Sequence, residues 1–449
     1  MKSARQVAFE ALLKVQKDGA YSNLAVDSLL KDNPELDDRD KAFVCNVVYG
    51  TLDRLILIDY NLSLYLNQPV RKLKPELHTI LRMGTYQLLF MDKVPSRAAV
   101  NESVNLAKVN KSSFAASLVN AVLRRVSDNG LRLPEGGEND IDYLAVKYSC
   151  PEWLLSLWVD AYGFENAVSL AQKALEPPPI VVRANTLKIT ADELIWKLAE
   201  EGVISEKTNA ADDALILSNT GSVDELEAYK NGLFHAQDIA SQLCCKALDP
   251  QENETVFDLC SAPGGKAFTI AEKMNNTGCV RAFDVYQSRV ELIKHGAERL
   301  GLTNVYSYLS DASVFNENYG LADRILCDVP CSGLGIIRRK PEIRFKKLSD
   351  IDNLPDLQYR ILCNAIRYLK DGGRLVYSTC TLNPKENSEL CDRFLNEHPD
   401  FSAIKVLPEI PRFSDNEENY LTLMPHIHST DGFFIAKFRK AGKEEAAHD

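Results

Sequence analysis

The sequence predicts a three-part chain: an all-α bundle, a small α+β module, and an α/β domain built on a mostly parallel sheet. Three observations predict it. Apolar residues recur at helical spacing from residue 1 to about 127. A stretch rich in glycine, proline and acids follows, and it breaks that rhythm. From Glu254 onward short apolar runs alternate with helical stretches, which is the pattern of βαβ units.

The bundle, residues 1–127, carries its periodicity in Val7–Leu13, Phe43–Leu57, Leu77–Phe90, Val100–Ala107 and Phe114–Val126. Five to seven helices account for it most simply. Gly50 and Gly84 fall inside helical patterns, where close packing is the expected reason. Residues 128–142 hold Gly130, Pro134, Gly136 and Gly137 and read as a linker. The small module, 143–248, opens with Pro151 at the start of a helix reaching Tyr162, and a second helix covers Glu165 to Leu175. Pro177–Pro179 stop that helix, Ile180–Ala184 is strand-like, and Ala191–Glu201 is helical. The α/β domain, 249–440, places strands at Thr255–Leu259, Val280–Phe283, Val305–Tyr308, Arg324–Cys327, Arg374–Tyr377 and Gly432–Lys437. A polar tail, 441–449, is expected to fray.

Composition bounds the function. At 45% hydrophobic and 26% charged residues, the 449-residue chain should bury ordinary cores. No apolar run approaches the roughly 20 residues that span a bilayer, so no membrane role is expected. Met1–Val15 has charges spread through it and reads as an amphipathic helix, not a signal peptide, which makes the cytoplasm the expected location. The 11 cysteines are scattered, there are 7 histidines, and no zinc-like spacing occurs, so no metal is expected. Net charge is −11, but residues 1–140 hold 19 basic against 17 acidic side chains and the remainder 33 against 46. Any nucleic-acid contact must therefore come from local basic patches on an acidic body.

The sharpest local signal is the strand Val256–Leu259 running into Cys260-Ser261-Ala262-Pro263-Gly264-Gly265-Lys266. Glycines there let backbone approach a ligand at a helix N-terminus, at the carboxyl end of a strand where open α/β sheets bind ligands. Neither GxxxxGK[ST] nor GxGxxG is present, which disfavours nucleotide binding in those forms. Asp284, at the end of the next strand, suits a ribose diol. Asp311, after the third, suits an adenine amino group, with Ala312 leaving room for the ring. Each acid alone reads as a solvated loop residue; three such features at successive strand ends read as a site.

Two further strand ends carry reactive groups: Asp328-Val329-Pro330-Cys331 and Ser378-Thr379-Cys380. Carbon 5 of a cytosine is a poor nucleophile until a thiolate adds to carbon 6, after which it can attack a methyl sulfonium. One cysteine suits the addition and the second the later ejection of the first. Asp328, helped by Lys266, is placed to stabilise charge near ring nitrogen 3. Spacing alone leaves open which cysteine attacks.

At these residues the sequence resembles the RNA cytosine-5 methyltransferases of the Sun and nucleolar-protein type. The motifs are Asp258–Lys266, Asp284, Asp311, Asp328–Gly335 and Ser378–Asn387, with further matches at Arg183–Thr186, Gln237-Asp238 and Asp431–Phe434. The resemblance implies a Rossmann-like methyltransferase domain using S-adenosylmethionine, bound by Cys260–Lys266, Asp284, Asp311 and Asp328. It also implies that Cys380 is the nucleophile and that Cys331 assists release. In the N-terminal part, Asp37–Phe43, Val100–Val104 and Val119–Arg125 look like the RNA-binding domain of the NusB type. That fusion resembles bacterial enzymes acting on 16S ribosomal RNA, the expected partner; a monomer is expected.

For RNA, Ile336–Lys347 carries six basic residues and one acid directly after the cysteine loop. Arg338, Arg339, Lys340 and Arg344, with Arg183, are expected to meet phosphates. Two rival readings remain: the same chemistry on tRNA, and a non-catalytic RNA-binding or ribosome-assembly factor. The Cys331/Cys380 pair argues against the second.

Overall fold

The computed structural model describes residues 2–110, 112–414 and 418–442. The polar tail lies outside the described residues from 443 onward. The chain forms two compact units: residues 1–177 together with 337–347, and residues 178–336 together with 348–449. Among the described residues no helix is long and apolar enough to cross a membrane.

The first unit is all-helical. Seven α-helices occupy its first 129 positions among the described residues, from Ala4–Asp18 to Ala116–Asn129. Local chemistry sets their ends. Asp37 caps Asp38–Asp53 by accepting from the Asp40 N–H at 2.8 Å, and Gly19 closes Ala4–Asp18 in the left-handed conformation at φ 65°. The two mid-helix glycines mark close approaches. A Cβ on Gly50 would sit 2.0 Å from the Tyr86 ring, and one on Gly84 2.6 Å from Leu123. Val7, Val44, Val48, Ile80 and Val119 are fully buried between these helices.

The linker is not loose. Asn61 grips Arg132 through both backbone groups, accepting from its N–H at 2.9 Å and donating to its carbonyl at 3.0 Å. The helices Ile141–Lys147, Glu152–Tyr162 and Phe164–Lys173 belong to this unit. The sequence reading grouped them with the small module at 143–248. Ser149, which lies between the first two of them, accepts from the N–H groups of Ile56 and Leu57 and so ties them to the helix Leu55–Ser63.

The second unit holds two sheets. β1 (Ile180–Ala184), β2 (Ile204–Lys207), β3 (Ala214–Ser218) and β4 (Phe234–Ala236) form an antiparallel sheet in the order β2-β3-β1-β4. The remaining strands are β5 (Thr255–Asp258), β6 (Cys279–Asp284), β7 (Val305–Leu309), β8 (Ala322–Asp328), β9 (Leu369–Thr379), β10 (Phe401–Ala403), β11 (Leu421–Leu423) and β12 (Phe433–Lys440). They form a mixed sheet in the order β10-β12-β9-β8-β5-β6-β7, with β11 on β12. Pairings from β7 across to β9 are parallel, and those of β12 are antiparallel. The expected Rossmann-like architecture is what the chain adopts.

Strand order reverses between β5 and β8, so the carboxyl ends Asp258 and Asp328 flank the crevice where such sheets take ligands. Within β9 the chain bulges over residues 370–373: pairing to β8 jumps from Leu369 to Arg374, with Gly372 at φ 75°.

Candidate active site

The Gly-Gly turn is held to the sheet by its own backbone. Ser261 N–H donates to Phe283 O on β6 at 2.8 Å, and Gly264 N–H donates to Ser261 O at 2.8 Å. Gly264 has φ 108°, and a Cβ there would lie 2.4 Å from the Phe268 ring. The helix Gly265–Lys273 starts directly after it. Beneath the turn the Asp258 carboxylate is fully buried, and neither of its oxygens, nor the Ser261 hydroxyl, makes a hydrogen bond.

Burial pushes the Asp258 carboxyl up to about 7, with Asp328 adding to the rise and Lys266 opposing it. Asp284 ends β6, is nearly buried, and uses one oxygen to accept from Tyr286 N–H at 3.0 Å. Asp311 is exposed two residues beyond β7 and accepts from the Ser313 N–H and hydroxyl. It borders a cavity lined by Leu259, Phe283, Ala312, Tyr319 and Asn364. The elements expected to hold a nucleoside thus line one edge of the sheet, with unsatisfied buried oxygens and a turn without side chains. These residues fit S-adenosylmethionine.

Next to it, β8 and β9 bring the reactive groups together. Their register sets Asp328 opposite Ser378. Asp328 accepts from Lys266 Nζ at 2.7 Å and from the Ser378 hydroxyl at 2.8 Å. Burial opposes the Lys266 charge, but the Asp328 carboxylate outweighs it and holds the ammonium well above its usual range. The Lys266 ammonium also lies 5.3 Å from the centre of the Phe433 ring, a neighbour that sequence reasoning did not single out beyond the Asp431–Phe434 motif.

The Cys331 and Cys380 sulfurs lie 3.1 Å apart, and neither is in a disulfide. Hydrogen bonding to Cys380, reinforced by burial, raises the Cys331 thiol well above its ordinary value, so Cys331 keeps the proton.

Sequence reasoning missed the framework around this pair. Glu386 is fully buried and accepts from the Ser332 N–H at 2.9 Å, the Ser332 hydroxyl, Gln358 at 2.8 Å and Asn383 at 2.9 Å. Asn387 accepts from the Thr379 hydroxyl at 2.6 Å and donates to Thr381 O at 3.0 Å. The signal was present as the last residues of the Ser378–Asn387 motif, but nothing in the sequence says which of its polar side chains turn inward.

Two residues expected at RNA are engaged elsewhere. Arg183 is buried on β1 and pairs with Glu272 at 3.1 Å and Asp213 at 2.9 Å. It joins a buried network in which Thr269 donates to Gln237 at 2.7 Å and Gln237 donates to Gly265 O at 3.0 Å. That network braces the helix opening at Gly265. Arg344 is buried in the first unit, paired with Asp53 at 3.1 Å and donating to Ser149 O and Ala174 O. A guanidinium whose donors are spent on buried acceptors cannot also reach phosphate. Arg338, Arg339 and Lys340 are half-buried, the Lys340 ammonium lying 5.3 Å from the Tyr21 ring centre.

Comparison with known proteins agrees with this architecture. Three family models match: NusB family over residues 2–128, the ferredoxin-like domain of RsmF/B-like methyltransferases over 150–224, and 16S rRNA methyltransferase RsmB/F over 245–439. The probable ribosomal RNA small subunit methyltransferase B of Bacillus subtilis is 42% identical over 98% of this chain and 99% of its own length. Its namesake in Synechocystis is 36% identical over 98% and 100%. The crystal structure of PH0851 superposes with a TM-score of 0.84 at 27% identity, covering 97% of this chain and 98% of that one. With full-length identity of this order to such relatives, the chain belongs to the ribosomal RNA small subunit methyltransferase B family.

Proposed function

We propose that this chain methylates carbon 5 of a cytosine in 16S ribosomal RNA, with S-adenosylmethionine as donor and Cys380 as nucleophile. The observation that carries the reading is the pair of cysteine sulfurs 3.1 Å apart beyond the carboxyl ends of β8 and β9, beside the turn that fits the donor. The names of the relatives support the RNA. Bound in the crevice, the donor supplies an electrophilic methyl sulfonium.

The Cys380 thiolate adds to carbon 6, forming an S–C bond and pushing electrons towards carbon 5 and ring nitrogen 3. Asp328 and the Lys266 paired with it stand at ring nitrogen 3, where Lys266 stabilises the negative charge that develops. Carbon 5 then accepts the methyl. To finish, a base removes the proton from carbon 5; those electrons restore the ring double bond and the S–C6 bond breaks, returning Cys380 as thiolate. Cys331, adjacent to the departing sulfur, is that base: once the Cys380 sulfur is bonded to carbon 6, the Cys331 thiol gives its proton to solvent, and as thiolate it takes the carbon 5 proton. The target base must be single-stranded or flipped out, which costs a few kcal/mol. Arg338, Arg339 and Lys340 are the proposed phosphate contacts.

The test uses Cys331→Ala and Cys380→Ala incubated with RNA and S-adenosylmethionine and run on a denaturing gel. Cys331→Ala should accumulate a covalent protein–RNA adduct, and Cys380→Ala should lose adduct and product alike. An adduct that persists in Cys380→Ala would overturn the assignment of the nucleophile.

A further inference from the structure

We propose that Glu386 is a positioning residue for the release step, holding Cys331 against Cys380, while its neighbour Asn387 holds the attacking Cys380. This rests on the proposed function, in which Cys380 attacks and Cys331 serves release.

The bonds around the two cysteines divide cleanly. Glu386 grips Ser332, the residue after Cys331, through both backbone N–H and hydroxyl. It also orients Gln358, whose amide nitrogen donates at 3.0 Å to the carbonyl of Pro330, the residue before Cys331. Cys331 is thereby fixed on both sides through one carboxylate. Asn387 grips Thr379 and Thr381, the residues flanking Cys380. The halves are also joined: Thr381 and Ser332 share a hydroxyl–hydroxyl bond at 2.6 Å, and Gly335 N–H donates to Cys380 O at 3.0 Å. Since the Ser332 hydroxyl donates to Glu386, the Thr381 hydroxyl is the donor in the first of these.

The Glu386 carboxylate spends its bonds on Ser332, Gln358 and Asn383, so it acts on the sulfurs through geometry. Each of these partners is a neutral donor, so both oxygens must accept. A glutamine has one oxygen and one NH₂, and whichever way it turns, donor faces donor on one side. The Cys331 loop would loosen, and the Cys380 loop would keep its own brace.

In balanced terms, Cys380 attack on carbon 6 and methyl transfer from the sulfonium donor go on as before. What slows is loss of the carbon 5 proton with breaking of the S–C6 bond, because Cys331 no longer sits at that carbon. A displacement of about 1 Å costs on the order of 10²-fold in such a step.

The experiment is single-turnover methylation by the full-length protein, following adduct and released methylated RNA separately. Glu386→Gln and Ser332→Ala should form adduct within about threefold of the wild-type rate and release it about tenfold or more slowly, so that adduct accumulates. Asn387→Asp should slow adduct formation itself. Ser332→Ala keeps the buried carboxylate and the N–H bond, so it decides the matter if Glu386→Gln folds poorly. Adduct and product falling by one common factor in both Glu386→Gln and Ser332→Ala would overturn the inference, as would unchanged release. Cys331→Ala in parallel separates the two claims. If it traps adduct and the Glu386 set does not, this inference alone fails; if it traps none, the proposed function fails.

Discussion

The N–H of Gly335 donates to the carbonyl oxygen of Cys380 at 3.0 Å, so the backbone beyond one sulfur is tied to the residue bearing the other. The same glycine accepts from Gly432 N–H at 2.9 Å, and a Cβ on it would fall 2.0 Å from the Gly432 carbonyl oxygen. Three segments far apart in sequence meet there, with no room for a side chain.

Gly335→Ala should therefore separate the loops. The expected outcome is a fall in methylation of about 10²-fold, with a stability loss of about 1–3 kcal/mol. Methyl incorporation and thermal unfolding measure the two. Gly137→Ala, where a Cβ meets nothing within 4 Å, should leave both unchanged.

Arg344, buried and paired with Asp53, is expected to act on stability and not on RNA. Arg344→Met leaves Asp53 buried without its guanidinium, at a cost of about 3–5 kcal/mol. The unfolding midpoint should drop by several degrees. The salt dependence of RNA affinity, measured by filter binding where the variant is still folded, should keep its slope. A slope smaller by about one would mean that Arg344 meets a phosphate after all.

Asp258 predicts a pH effect. Its carboxyl is held at about 7 in the fold against 3.8 in the unfolded chain, chiefly by burial, with Asp328 raising it and Lys266 lowering it. Between those values the native state keeps a proton that the unfolded chain has lost. Its contribution is fully present below about 4 and is lost as pH rises through about 7. Glu272, also raised to about 7, tilts the profile the same way, and His235, lowered to about 3, tilts it the opposite way. The difference between wild type and Asp258→Asn isolates Asp258. In urea titrations the variant's stability should fall less between about pH 5 and pH 8, by up to about 3 kcal/mol. Parallel profiles would refute it.

The sequence was most legible where chemistry is local. Ile180–Ala184 is a strand over the residues expected, because a β-branched run lies just beyond three prolines. Cys331 and Cys380 meet because both follow strands that pair in parallel, which alternation of strands and helices already implied. Arg183 and Arg344 were misread for one reason. A basic side chain looks the same in sequence whether it faces water or a carboxylate 291 residues away, as Arg344 faces Asp53. Glu386 was invisible for the converse reason: its partners Ser332 and Gln358 lie in other segments, and nothing in an Asn-Pro-Lys-Glu-Asn run says that the acid points inward.

Residues 337–347 fold with the first unit, yet the chain on either side of them folds with the second. The polypeptide thus crosses between the units at three places instead of one, and no single cut divides the protein into its natural parts. A fragment beginning at Pro178 would carry a stranded insert, with Arg344 severed from Asp53 and Glu342 from the hydroxyl of Ser22. Shuffling of the helical part among relatives by recombination at one seam would break the same bonds, which ties the inheritance of the two halves together.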